Sequence, residues 1–505
     1  MEKENKFYIT TPIYYVNDEP HIGHAYTTVV GDVLARYHRQ KGDDVFYLTG
    51  TDEHGAKIAE SAKAKGIDTQ EFCDQTAAKF VSAWESLNIS NDYFIRTTNK
   101  DHKAAVSKIF QTFYDKGLLE EKEYEGLYCV GCEKFLSDKD LVDNKCPDHK
   151  REPEILKEKN WFFKLEQFLP KVQELIEKDE IEILPVTRKN EVLSLLKDGV
   201  MKDFSVSRQK TSVAWGVDLP FDNTQVSYVW VDALSNYITA LGYPDNLDNF
   251  NKYWPADLHL LAQDILKFHA IYWPAFLLAL GFNENELPKT LFIHGFFTIN
   301  GEKMSKTIGN VIKPQELVDK YGVDASRYLL LSQFPFGQEA DIREDHFVER
   351  YNADLANGYG NAVARVTTLI EKNELKFDID FYNSRNVGEV GEYGKDSKKM
   401  SVHNDDWFRG IDEKYQEYRF DNVIKDISLR LRELDRQIND YKPWTMSKDV
   451  NFDALQNFLS YCAGEIYVIS KALLPFMPTI AQQVLDILEA DEIKKAPPLF
   501  PRLEN

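Results

Sequence analysis

The sequence predicts an α/β protein: a doubly wound parallel sheet, with an all-helical region behind it. Three observations carry this expectation. Strand-like runs alternate with helical patterns near the start of the chain and again from about residue 258, the rhythm of a parallel sheet with crossover helices. A cysteine-bearing stretch of different character separates the two halves. Beyond about residue 350 only helical periodicity remains, as in a helix bundle.

The elements follow in order. Residues 7–10 and 45–48 are short β-like runs. Between them Ile22, Ala25, Tyr26, Val29, Val30, Val33, Leu34 and Tyr37 recur at helical spacing, with Gly42 just past the end, which makes a strand–helix–strand unit. Helical patterns follow near 69–87 and 101–117. Residues 118–225 hold the cysteine cluster, many charges and several short strand-like runs, and read as an insertion. Strands are expected at 258–261 and 291–294, with a helix at 265–280 between them. Helices are expected near 352–373, 404–440, 451–473 and 478–489. They are interrupted at 377–403, where Gly, Asn, Ser and charge give the composition of a loop or disordered excursion. The expected domains are therefore 1–117 and 226–350 as two halves of one α/β domain, 118–225 as the insertion, and 351–505 as a helical domain.

A length of 505 residues suits about three domains, and 43% hydrophobic with 28% charged residues is an ordinary globular balance. Lys and Arg number 61 against 82 Asp and Glu, a formal charge of -21. That excludes a polybasic coat for nucleic acid, because phosphate neutralisation draws on Lys and Arg, but leaves room for a local basic surface. No signal-peptide apolar region follows the charged start. The strongest apolar stretch, 273–280, is far short of the ~20 residues that cross a bilayer. A cytoplasmic protein without a membrane partner is expected. Five cysteines, three of them clustered, point to metal chemistry rather than secreted disulfides.

Three constellations carry chemistry. In Pro20-His21-Ile22-Gly23-His24 two imidazoles lie three residues apart, on one face of a nascent helix. A helix N-terminus offers free N–H groups to an anion and Gly23 admits close approach, which suits charge developing on a phosphoryl group. Capping or core packing is the plainer role for either histidine. In Lys303-Met304-Ser305-Lys306-Thr307, after Asn300 and Gly301, two ammonium groups beside small residues could clamp phosphate. No Walker A, G-x-S-x-G or H-E-x-x-H pattern occurs, which removes the P-loop NTPases and the obvious hydrolases. Cys129-x-x-Cys132 and Cys146-x-x-His149, thirteen residues apart, have the spacing of one tetrahedral Cys₃His zinc site. Such a site has a closed coordination shell and is structural. Cys73 and Cys462 have no ligand-like neighbours in sequence.

Taken together, the His21–His24 and Lys303–Thr307 motifs resemble the two signatures of class I aminoacyl-tRNA synthetases. Thr49-Gly50-Thr51-Asp52-Glu53-His54-Gly55, Trp230-Val231-Asp232-Ala233 and Phe268-His269-Ala270-Ile271-Tyr272-Trp273-Pro274 extend the resemblance to the methionyl-tRNA synthetase family over essentially the whole chain. The resemblance implies a Rossmann-like catalytic domain, a zinc-bearing connective insertion and an anticodon domain. It implies that Ile13, Tyr15, Trp230, Ala233, Tyr237, Ile265, His269 and Trp273 form a methionine pocket. Asp52 would pair with the α-ammonium, a role its charge suits independently, and aromatic edges are good partners for a thioether. An apolar pocket discriminates one methylene by only ~1–3 kcal/mol, so homocysteine should be imperfectly rejected.

ATP, with Mg²⁺, would be bound by Asn17, His21, Gly23, His24, Asp264, Lys303 and Lys306. His21 and His24 would stabilise the transition state, and Lys303 and Lys306 would hold the pyrophosphate. Asn361, Arg365 and Trp444 would read the CAU anticodon of methionine tRNA, initiator and elongator alike, by stacking and hydrogen bonds to base edges. Two departures stand out. Ala262-Gln263-Asp264 replaces the family's common Gly-Lys-Asp, so altered ATP affinity is expected, and Leu234 replaces a Pro found in some members. A cysteinyl-type synthetase shares both signatures but would grip a thiol with metal, whereas this knuckle is closed. A non-catalytic tRNA-binding paralogue accommodates Ala262-Gln263 but leaves the intact His and Lys motifs unexplained. A small nucleotidyltransferase fails on length and on the helical region. With no dimerising module after Pro501, a monomer is expected.

Overall fold

Strand β1 (Lys6–Tyr15) is the axis of the first half of the protein. It pairs in parallel with β2 (Asp44–Asp52) on one side and, on the other, with a strand that arrives more than two hundred residues later, β5 (Leu258–Ala262). The computed structural model describes residues 5–504 apart from 18, 130–133, 137–140, 148–149, 198, 305–308, 378–403 and 447. The chain divides into two units, one of residues 1–85 and 89–296, the other of 86–88 and 297–505.

In the first unit β3 (Tyr93–Arg96), β4 (Glu182–Leu184) and β6 (Thr290–His294) complete a six-stranded sheet ordered β3-β2-β1-β5-β6-β4, every pair of which is parallel. The chain winds one way through β1, β2 and β3 and the other way from β5 onward. Such a reversal leaves a crevice at the carboxyl ends of the two central strands, where ligands of doubly wound folds bind. The four expected strands are present and longer than their apolar runs. β3 and β4 are only four and three residues long, too short to give a window for period-two alternation. β4 comes from within 118–225, the stretch read as an insertion. The same stretch also forms an antiparallel sheet from Leu119–Cys129, Lys134–Leu136, Glu154–Phe163 and Phe204–Ser205.

Helix α1 (Ile22–Gln40) follows β1 and buries the predicted stripe, Ile22, Ala25, Tyr26, Val29, Val30, Val33, Leu34 and Tyr37 among it. Helices α2 (Lys100–Asp115), α3 (Val229–Thr239) and α4 (Trp273–Leu280) pack into the sheet's main core. The helix expected over 265–280 is present as a continuous helical run from Leu266 to Leu280, though not α-helical throughout. A tight 3₁₀ turn at Gln263–Ile265 leads into it and a wide π-helical turn at Phe268–Tyr272 precedes α4; π turns recur at functional sites.

The second unit carries a small sheet of Phe297–Ile299, Glu302–Lys303 and Ala340–Ile342. Its first two strands are joined by Asn300-Gly301, both at positive φ, the two-residue hairpin turn that Asn-Gly favours. Helices α5 (Asn361–Asn373), Asn404–Gln416, α6 (Phe420–Tyr441), Lys448–Leu473 and Pro478–Glu489 follow. The expected 404–440 helix is broken at Tyr418, whose φ of +57 is incompatible with a continuing right-handed helix. The expected excursion at 377–403 lies, except for Phe377, outside the described residues. No helix among the described residues is long and apolar enough to cross a membrane.

One packing constraint is tight enough to test. Gly50 of β2 lies so close to β3 that an added Cβ would stand 2.1 Å from the Ile95 carbonyl oxygen. Gly50→Ala should part the two strands and destabilise the first unit by about 3 kcal/mol, the scale of overpacking a rigid interior. Urea denaturation checks this, and an unchanged midpoint contradicts it.

Candidate active site

Pro12 interrupts β1. Its missing N–H cannot join a ladder, and the register with β2 slips between Thr10 and Ile13, a bulge-like irregularity of the kind that re-aims side chains. Beyond it Ile13 and Tyr15, two apart and so on one face, line a cavity of about 240 Å³ with Asp52 from the end of β2. Helix α3 supplies Trp230, Ala233 and Tyr237, and the irregular turns before α4 supply Ile265 and His269. Eight of the nine residues expected at a methionine pocket thus line one cavity. The ninth, Trp273, does not; it is fully buried, with its ring 5.9 Å from that of Tyr237.

The cavity wall is ordered by hydrogen bonds. His269 Nδ1 lies 3.0 Å from the Ile265 carbonyl, so it donates. Nε2 is then the acceptor, and Tyr237 Oη donates to it at 2.8 Å. Burial pushes His269 down to about 4, which keeps this ring neutral at pH 7. Trp230 stacks on Phe268 at 3.4 Å. The remaining lining residues are Pro12, Lys57, Val229, Leu234 and Asn236. Val229, Ala233 and Asn236 fall at i, i+4 and i+7 on α3, so the helical period would have found the two missed ones. Lys57 has no such signal, because a lysine in a polar segment reads as surface.

The histidine motif begins α1. His21 is its N-cap: Nδ1 accepts from the Gly23 N–H at 3.1 Å. His24 reaches back, its Nδ1 accepting from the His21 N–H at 3.3 Å, a capping box built from two imidazoles. The rings stack with centroids 3.7 Å apart. Backbone N–H groups can only donate, so both Nδ1 atoms are acceptors and each neutral ring carries its proton on Nε2. Burial, with His21 alongside, holds His24 well below the ordinary imidazole value. The capping role and a donor role at Nε2 are therefore one arrangement. Gly23 lies in the same first turn and Asn17 just after β1.

Asp264 is exposed in the 3₁₀ turn after β5. Beside it Arg188 donates through Nη2 to the Gln263 side-chain oxygen, which places a guanidinium at the substituted position. Lys303 ends the Asn300-Gly301 hairpin, while Lys306 lies outside the described residues. In the second unit Arg365 of α5 donates to Asp435 at 2.5 Å and to Asn439 at 2.8 Å, both on α6. Its guanidinium stands 5.5 Å over the ring of Trp444, which is 48% exposed. Asn361, one turn before Arg365, is exposed. Of the cysteine motif, Cys129 and Cys146 are both buried and share a small cluster with Leu141, which fits a common ligand. Cys132 and His149 lie outside the described residues, and among the described residues no group of three or more His, Cys, Asp or Glu side chains is arranged to hold a metal ion.

Comparison with known proteins bears on this geometry. A family model described as class I tRNA synthetases (M) matches residues 7–154 and 139–367. The methionine–tRNA ligase of Thermotoga maritima is 41% identical over 493 residues, 96% of this chain and 76% of that protein. That of Rickettsia conorii is 40% identical over 486 residues, 96% of this chain and 93% of its own. The structure of Mycobacterium tuberculosis methionyl-tRNA synthetase in complex with methionyl-adenylate matches with a TM-score of 0.87 at 33% identity, covering 99% of this chain and 100% of that one. Identity at this level over nearly the whole chain, with a family model matching most of it, places the chain in the methionyl-tRNA synthetase family of class I tRNA synthetases.

Proposed function

We propose that the protein activates L-methionine with ATP and transfers the methionyl group to the 3′ end of methionine tRNA. The observation that carries this is the cavity. Asp52 and Lys57 offer one carboxylate and one ammonium, the complement of an amino-acid zwitterion, while Tyr237, His269, Trp230 and Ile265 offer an aromatic and apolar wall with a neutral imidazole. A thioether prefers such a wall. Asp52 takes the α-ammonium and the methionine carboxylate attacks the α-phosphate. The carboxyl C–O–P bond forms as the bond to pyrophosphate breaks. In the second step the terminal ribose hydroxyl attacks the mixed anhydride and releases AMP.

No covalent enzyme intermediate is needed, so catalysis is positioning and electrostatics. Both are available in the first turn of α1, where the Nε2–H groups of His21 and His24 and the helix dipole favour charge building on phosphate. Asn17, Gly23 and Asp264 complete the ATP contacts. Lys303 and Lys306 neutralise the leaving pyrophosphate, and Mg²⁺ enters with ATP. Arg188 beside Gln263 supplies a cation on the nucleotide side.

The remaining roles follow the same reading. Residues 1–117 and 226–350 act as catalytic halves, with β4 at Glu182–Leu184 belonging to their sheet, the cysteine-bearing part of 118–225 as the connective insertion and 351–505 as the anticodon domain of a cytoplasmic monomer. Cys129, Cys132, Cys146 and His149 hold one structural zinc, which when bound cross-links the insertion. Trp273 supports the pocket through Tyr237.

Two measurements test this reading. ATP–pyrophosphate exchange should depend on L-methionine and not on L-cysteine. The same assay should show a shifted ATP KM for Gln263→Lys, and exchange driven by cysteine, or none at all, contradicts the assignment. Trp444→Ala should leave exchange intact while lowering kcat/KM for charging methionine tRNA by roughly 5- to 150-fold, the value of one stacked base; equal loss in both assays contradicts an anticodon role.

A further inference from the structure

Two motif residues have no substrate role in the reading above: His54, two positions after Asp52, and Asp232, between Trp230 and Ala233. The structure joins them. Asp232 is wholly buried. Its Oδ2 lies 2.7 Å from His54 Nδ1 and its Oδ1 2.9 Å from His102 Nε2. His102 Nδ1 in turn lies 2.7 Å from Thr239 Oγ1, back on the helix that carries Asp232. Burial alone would raise this carboxyl, but the two imidazoles, His54 foremost, hold it well below the usual carboxylate range.

The consequence is mechanical. One buried carboxylate ties together three elements: the segment after β2, helix α2 and helix α3. The β2 end is braced a second time. Glu53, also buried, receives Arg96 Nε at 2.7 Å and Nη2 at 2.9 Å, together with Thr51 Oγ1 at 2.6 Å. The two side chains that follow Asp52 are thus both committed to buried ionic networks. Through Asp232 one of them reaches the helix that bears Trp230, Ala233 and Tyr237. Asp52 and these three line the same cavity, so the span between the ammonium subsite and the thioether wall runs through His54 and Asp232.

We propose that Asp232 is a positioning residue for methionine, fixing through His54 and His102 the separation between the Asp52 carboxylate and the α3 wall. This rests on the assignment of the cavity to methionine. Substrate held at two ends gains from a fixed span and loses when the span can vary, whereas a ligand such as ATP, held elsewhere, does not feel it.

Asp232→Asn, matched in shape, is the decisive variant, with folding followed by thermal unfolding. Methionine KM in the exchange assay should rise roughly tenfold while ATP KM stays within about twofold. A double-mutant cycle separates positioning from general destabilisation: in an Asp52→Asn background, Asp232→Asn should weaken methionine binding, measured by calorimetry, by less than about twofold. A folded Asp232→Asn enzyme with unchanged methionine KM, or losses that simply add in the cycle, overturns the proposal. If Asp232→Asn does not fold, His102→Gln, which keeps the His54–Asp232 bond, decides by the same criteria. Absence of methionine-dependent exchange in the unaltered protein would sink the reading of the cavity instead.

Discussion

The parallel pairing of β1 with both β2 and β5 is the constraint from which the site follows. It makes β1 the central strand at the reversal of the sheet, so whatever lies past its carboxyl end faces the crevice. Chain order then puts the bulge at Pro12, the cavity residues Ile13 and Tyr15, and the first turn of α1 there in quick succession. The partner strands bring their own ends to the same level: Asp52 closes β2, and Gln263 and Asp264 follow β5. On the proposed function, amino acid and nucleotide chemistry meet there because three strands end together.

At that crevice the same atoms serve fold and chemistry. A helix start needs acceptors for its first N–H groups, and here imidazole nitrogens provide them. Using Nδ1 as the cap fixes the tautomer and puts the ring's donor on Nε2. The pocket wall works alike: the Ile265 carbonyl orients His269, His269 orients the Tyr237 hydroxyl, and burial keeps the imidazole neutral. Asp232 extends this logic one layer deeper, where a buried carboxylate is tolerable only because two imidazoles face it.

Much of this was legible in the sequence, and the rest was hidden for definite reasons. The core strands and α1 showed themselves through apolar runs and helical spacing. Their true ends did not, because β1 continues through Pro12 to Tyr15 against the usual reading of proline. β3 and β4 were too short to announce themselves. Motif residues located the cavity almost completely, since Asp52, Trp230, Tyr237 and His269 are chemically distinctive. Lys57 was missed because charge carries no period. The Asp232–His54–His102 network was invisible because its members are 178 and 130 residues apart in sequence. The net charge of -21 also fits the proposed function, in which tRNA recognition would rest on a few placed groups, Arg365 beside Trp444 foremost, and not on a basic coat.

The claim most open to direct test is that the capping box sets the histidine tautomers. Long-range ¹H–¹⁵N NMR of the imidazoles, with His21 and His24 assigned by His→Asn variants, reads it without any turnover. At pH 7 the His24 ring should be neutral, and in each ring the Nδ1 that accepts a backbone N–H should be bare, with the proton on Nε2. A proton on Nδ1 of either ring, or a His24 imidazolium at that pH, would contradict the account.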